Sequence, residues 1–206
     1  LRFPGFEDDW KADILGEVCK MQAGKFVSAS EILEKEQDEL FPCYGGNGLR
    51  GYTKYYNQNG LYSLIGRQGA LCGNVTIVDG KFYATEHAVV VTPDESIDTL
   101  WMYYLLTHLN LNQYATGAAQ PGLSVQNLER VEVAIPKSKT EQQKISAILS
   151  LIDRRIQTQN KIIEELETFN KSVVDKLFNY KFNENPDAYW SHLTYGDIFE
   201  VRTKKM

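Results

Sequence analysis

Four residues in the middle of the chain, Gly66-Arg67-Gln68-Gly69, combine side chains suited to reading a polar surface. An arginine fork bridges O6 and N7 of guanine, and a glutamine amide pairs with N6 and N7 of adenine, so neighbouring Arg67 and Gln68 suit base-pair edges. The flanking glycines lack side chains and let another backbone come close. Arg50, Lys54 and Lys81 are cations of the kind that hold phosphates and set register, and Tyr52 stands between the first two. A plainer reading also fits these residue types: the glycines permit tight strand crossings and Arg67 is a solvated surface charge. Residue types alone leave the two open. On the first reading, Arg67→Ala relaxes base choice at one position, by about 1–3 kcal/mol.

Signals for catalysis are missing. His87, His108 and His192 lack metal-ligand spacing, and His108 sits in a helical stretch as a packing or surface residue. There is no GxSxG elbow, and no Lys-Ser/Thr follows the glycines of GRQGALCG (66–73) as a phosphate loop requires. No glycine-rich cofactor fingerprint opens a βα unit. An Asn-Pro-Pro-Tyr-type motif, as in amino-group methyltransferases, is lacking, and no nuclease-like acidic cluster ending in Glu-x-Lys follows Pro93-Asp94. The expectation is a protein that is not an enzyme and holds neither cofactor nor metal.

Net charge is −5 over 206 residues, which by itself argues against a nucleic-acid partner. Its distribution argues the other way. Residues 1–40 hold five basic and ten acidic side chains, whereas 44–81 hold Arg50, Lys54, Arg67 and Lys81 against Asp79 alone. Five tyrosines (44, 52, 55, 56 and 62) share that basic stretch. Such a patch meets phosphates locally on an acidic protein, although tyrosine-rich loops serve protein partners equally. Apolar content of 43 % and charged content of 24 % are those of a folded domain. No apolar run reaches the roughly 18 residues of a membrane span, and no signal peptide is legible. Cys19, Cys43 and Cys72 form no CxxC pair, which fits a reducing cytoplasm.

The elements that must position these residues mix strands and helices. Trp10–Val18 reads as a short strand and turn, 28–40 as helix or loop, and Pro42–Gly60 as turns, with five glycines and no period. Leu61–Ile65 is a strand candidate. Val75–Ala84 reads as a hairpin around Asp79-Gly80, a pair that tolerates the positive φ angles of a type I′ turn. His87–Thr92 continues the sheet. Ser96 is a candidate cap for a helix to about Tyr114 that buries Leu100, Trp101, Tyr104, Leu105 and Leu109. Ser124 caps a short helix, Val131–Ile135 is a strand, and Thr140 with Gln143 forms a capping box.

That box launches a stretch from Thr140 to Phe178 with no Pro or Gly, about 58 Å of helix at 1.5 Å per residue. Ile145, Leu149, Ile152, Ile156, Gln159, Ile163, Leu166, Asn170, Val173 and Leu177 step by fours and threes along one seam. A seam of that period asks for a partner helix, and polar members such as Gln159 and Asn170 commonly fix register. After it, Trp190, Gly196, Asp197 and Ile198 align with Trp10, Gly16, Glu17 and Val18, as though a second unit were beginning. The expected organisation is α+β: a binding domain over 1–138, a spacer helix over 139–179 and the opening of a second repeat over 180–206.

The segments YGGNGLRGYTK, LIGRQGALCGNV, YATEHAVVV, TGAAQPGLSVQNLERVEVAIP and TEQQKISAILSLIDRRI, in that order, closely resemble the specificity subunit of type I restriction–modification systems. The opening LRFPGFEDDW is similar too. The resemblance covers essentially the whole chain and is most specific from Thr116 to Ile156. It implies a target-recognition domain that reads one half of a split double-stranded DNA site, and a helix that spaces it from a second reader. Partners implied are methyltransferase subunits, which hold S-adenosylmethionine and methylate adenine, and a restriction/translocase subunit. Gly66–Gly69 and Tyr44–Lys54 match the DNA-facing parts, Thr116, Gly117, Gln120, Pro121, Gly122 and Leu123 match the loop before the closing strand, and the helix from Glu141 and Gln142 onward matches the spacer. Family members usually carry two recognition domains, so this chain is a fragment or a half-subunit that pairs with itself through the long helix. The competing expectation is a coiled-coil adaptor for proteins, without DNA sequence preference.

Overall fold

The computed structural model describes residues 2–69, 71–117 and 121–184, with 179–184 as backbone alone. Gln120 and the Trp190–Ile198 half of the near-repeat lie outside the described residues. Contacts divide the chain into two units, Leu1–Leu151 and Ile152–Met206.

The first unit is α+β, a helical layer with two four-stranded sheets and one two-stranded sheet. Strand β1 (Lys11–Ile14) runs into one helical turn, α1 (Leu15–Val18), and then β2 (Cys19–Ala23). Next come β3 (Phe41–Gly45), β4 (Gly48–Thr53), β5 (Gln58–Asn59), β6 (Tyr62–Gly66), β7 (Val75–Val78), β8 (Lys81–Ala84) and β9 (Ala88–Pro93). Helices α2 (Thr99–His108) and α3 (Val125–Glu129) precede β10 (Glu132–Ile135), which pairs antiparallel with β1. One sheet has the order β2-β9-β6-β7 and the other β4-β3-β8-β5.

Alternation along the strands explains the layering, because successive side chains point to opposite faces. Ile65, Val89 and Val91 pack with Trp101, Met102 and Leu106 of α2 and Leu128 of α3. Their neighbours Leu64 and Val90 turn the other way, onto Phe82 and Ala84 of the second sheet. A sheet covered on both faces reads as an unbroken apolar run, which is why Ala88–Val91 shows no alternation. Phe82 is fully buried, edge-on to Tyr44 and Tyr62 with ring centroids 5.7 and 6.0 Å away.

Four local expectations are corrected. Asp79-Gly80 does not close a hairpin, for β7 pairs with β6 while β8 pairs with β3 and β5. Only Gly80 (φ +90) takes the positive φ that a type I′ turn needs at both positions. Asp79 accepts the Gly80 N–H at 2.8 Å, and the turn is a corner between sheets. Pro42–Gly60 contains the β3–β4 hairpin, whose glycines at 45, 46, 48 and 51 masked its strand pattern. Asp98, not Ser96, caps α2, its carboxylate accepting the Trp101 N–H at 2.8 Å. That helix stops at His108, before Asn110 turns to φ +48 and a 3-10 turn follows.

Helix α4 (Lys139–Glu184) begins one residue before the expected cap. Thr140 therefore lies inside its first turn, and Gln142 N–H donates to the Ser138 carbonyl at 3.1 Å. In the second unit the described residues belong to this helix, and its side chains at Ile152, Ile156, Ile163, Leu166 and Leu177 are exposed. Gln159 and Asn170 are exposed as well, Val173 is half-buried, and in the first unit Ile145 packs against the core beside half-buried Leu149. No described helix is long and apolar enough to cross a membrane.

Candidate nucleic-acid interface

The β3–β4 hairpin is irregular where it matters. Cys43 faces Gly51 and Tyr44 faces Leu49, so Arg50 is an extra residue, a β-bulge. Bulges bend a strand and re-aim a side chain. Gly51, at φ +150, presses its α-carbon against Ile32-Leu33, and a methyl there would stand 2.4 Å from the Leu33 carbonyl oxygen. At the tip, Gly46 is wedged against the carbonyls of Gln68 and His87, and Asn47 is exposed.

The Gly66–Gly69 turn locks onto this tip. A side chain on Gly66 would begin 1.9 Å from the Gly46 carbonyl oxygen, so the space beside Gly66 is filled by the chain's own backbone. Arg67 N–H donates to the His87 carbonyl (3.0 Å), and the Arg67 carbonyl accepts from Leu123 N–H (2.9 Å). Gly69 N–H reaches the Pro121 carbonyl at 3.1 Å, and Gln68 bridges to Gly122. Four separate segments thus converge on a cleft of about 580 Å³, with Asn47, Arg50, Gln68, His87 and Gly122 in its wall. No described carboxylate lines it.

The expected site residues divide into groups. Arg50, Gln68 and Gly69 meet in the cleft, while Gly66 and Arg67 stand behind it. The Arg67 Nε is buried, with no hydrogen-bond partner among the described residues. Lys81 and Lys54 are exposed outside it, the Lys81 ammonium lying 5.0 Å from the centre of the Tyr56 ring, itself edge-on to Phe41. Tyr52 is half-buried, exchanging backbone hydrogen bonds with Leu33 at 2.8 Å. Sequence reasoning missed Asn47 and His87. The Asn47-Gly48 pair, a turn signal between two potential strands, was the clue to the first. His87 stacks no such clue; its Nε2 lies 3.2 Å from a Glu86 carboxylate oxygen, at a turn that only the two sheets define.

Away from the cleft, the start of α4 is anchored by buried polar groups. Glu141 is 1 % exposed; Arg2 donates to both of its carboxylate oxygens (2.8 and 3.0 Å), and Trp10 Nε1 lies 3.4 Å from one. The hydrogen bond from Arg2, aided by Trp10, holds the Glu141 carboxyl below the usual carboxylate range. Gln142 accepts the Asp98 N–H at 2.7 Å and donates to the Pro136 carbonyl at 2.9 Å. Burial pushes the Cys19 thiol up to about 12 and that of Cys43 to about 11, so neither is a nucleophile at neutral pH.

This chain belongs to the family of type I restriction modification DNA specificity domains, whose model matches residues 7–168. It is 49 % identical over 154 residues to the type I restriction enzyme EcoprrI specificity subunit of Escherichia coli, covering 74 % of this chain and 38 % of that one. A putative type I restriction enzyme specificity subunit of Haemophilus influenzae is 30 % identical over 137 residues, 64 % of this chain and 34 % of its own. Among solved structures, the S subunit of the type I restriction-modification system from M. genitalium superposes with a TM-score of 0.71 at 18 % identity. That match covers 86 % of this chain and 47 % of the other, and it carries the fold. The chain thus spans less than half the length of each of these three relatives.

Proposed function

We propose that this chain reads one half of a split site in double-stranded DNA and supplies sequence choice, without chemistry of its own, to a type I restriction–modification complex. The observation that carries the reading is the carboxylate-free cleft of Asn47, Arg50 and Gln68 on an otherwise acidic protein of the DNA specificity family. Lys54, just after β4, and Lys81, at the start of β8, are both exposed and would hold phosphates, with Tyr52 and Gly69 beside them on the contact surface. Phosphate contacts of this kind position a duplex, while base-edge contacts select it.

The chemistry belongs to partners. Methyltransferase subunits carrying S-adenosylmethionine would flip an adenine from the stack, because its amino group cannot be reached inside a duplex. A restriction/translocase subunit would act on unmodified sites. The exposed part of the seam, from Ile152 to Leu177, would pair with a second helix, either of another copy or of a second half, and so set the gap between two half-sites. Copies related by a two-fold axis would read a palindromic split site.

The test is a gel shift of the chain reconstituted with type I methyltransferase subunits, on duplexes carrying mapped methylation sites and on scrambled ones. Binding confined to the mapped sites, and weakening steeply with salt, supports the reading. Equal binding to both duplexes identifies an adaptor and rejects it.

A further inference from the structure

We infer that Arg50, delivered by the β-bulge, reads a G·C pair, and that Arg67 is a positioning residue for the cleft instead of a reader. The inference rests on the cleft being the DNA interface and assigns the roles within it. It exchanges the roles that residue types alone suggest for the two arginines.

Geometry separates them. The bulge takes Arg50 out of the β3–β4 ladder, and its stem crosses Gly45, with Cδ 3.7 Å from where a side chain there would start. Its guanidinium is exposed and takes part in no ion pair or hydrogen bond among the described residues, so its five donors remain available. Asn47 and Gln68, in the same wall, carry the amides that pair with adenine edges. A fork and two amides in one carboxylate-free cleft are what reading a short run of base pairs requires.

Arg67 stands apart from the cleft wall. Its backbone N–H and carbonyl tie His87 to Leu123, its Nε is buried, and it does not line the cleft. The contacts between Gly66 and Gly46 fix the hairpin tip, which is the preorganisation a recognition site needs. The backbone at Arg67 therefore holds Gln68 in place between His87 and Leu123, while the adjacent Gly66 seats the tip.

Charge and fork geometry are separable by substitution, because lysine keeps the charge but cannot grip O6 and N7 together. The reconstituted complex is assayed for binding to the mapped site and to a set with each base pair changed in turn, at several salt concentrations, for wild type, Arg50→Lys, Arg50→Ala, Arg67→Lys and Lys54→Ala. Thermal melting of each variant controls for folding. Both Arg50 variants should lose discrimination at one G·C pair by about 5- to 150-fold, with the salt slope unchanged. Lys54→Ala should weaken all sites alike and lower the slope by about one. Arg67→Lys, which keeps the backbone bonds at that position, should keep the identity of the preferred bases. Wild-type preference in Arg50→Lys, with uniform weakening and a lower slope in Arg50→Ala, makes Arg50 a phosphate contact and overturns the inference alone. A wild-type complex indifferent to sequence overturns the reading of the cleft as well.

Discussion

Gly66 illustrates how a residue chosen for openness becomes one defined by closeness. Its α-carbon faces the Gly46 carbonyl oxygen, and a methyl there would begin 1.9 Å from it. Gly66→Ala should cost about 1–3 kcal/mol as the backbone shifts, read as a lower urea midpoint together with weaker site preference. Glu141 is a second residue whose neighbours decide its behaviour. Because Arg2 and Trp10 depress its folded-state pKa, the folded state binds its proton less tightly than the unfolded chain. The resulting stability is complete above the unfolded carboxylate value of about 4.3 and disappears as pH falls through the lower folded value. Glu141→Gln should therefore be less stable than wild type at neutral pH, and urea midpoints should converge as pH falls through the depressed folded-state value. A constant gap across that range would show that the Arg2 contact contributes no charge-dependent stability.

Elements in this fold are joined by a few polar side chains and one deeply placed ring. Asp98 caps α2 through the Trp101 N–H and also accepts the Ser146 hydroxyl at 3.1 Å, while its own N–H goes to Gln142. One carboxylate thus links α2 to the first turns of α4. Asp98→Ala should destabilise the domain by about 0.5–2 kcal/mol, and Asp98→Asn, which keeps an acceptor, should recover most of that in chemical denaturation. The join between the sheets rests on Phe82, fully buried among Leu64, Val78 and Val90. Phe82→Ala should cost about 3–5 kcal/mol, measured by the same denaturation, because the ring has no route to solvent and its neighbours are held in two sheets.

For the molecule as a whole, the exposed seam of α4 is the feature that asks for something more. Ile156 and Ile163 are each 52 % exposed and Leu166 is 61 % exposed. On a solitary helix these would be an unfavourable surface, whereas a partner helix buries them as a and d positions. Ile156→Asp combined with Ile163→Asp should abolish self-association or assembly with the methyltransferase subunits, seen as a lower sedimentation coefficient. The melting temperature of the first unit should stay within a degree or two of wild type. Unchanged assembly would remove the helix from the interface.

The long helix, the Ser124 cap and the strands around Ile65, Val90 and Ile135 were legible in the sequence because each depends on local periodicity or a single capping side chain. So was the order of segments that ties the chain to its family. The sheet partners of β7 and β8 were not legible, since an Asp-Gly pair serves a hairpin and an inter-sheet corner alike and only the burial of Phe82 chooses. The cleft was half legible: Gln68 and Arg50 stood out by type, but the bulge that aims one arginine and the strand crossing that buries part of the other arise from contacts between residues far apart in the chain. Sequence by itself determined the long helix and the apolar strands, because their periodicity is written in neighbours along the backbone, but not the glycine-rich β3–β4 hairpin. Tertiary structure alone decided which side chains share a surface, because that depends on how two sheets close over one phenylalanine.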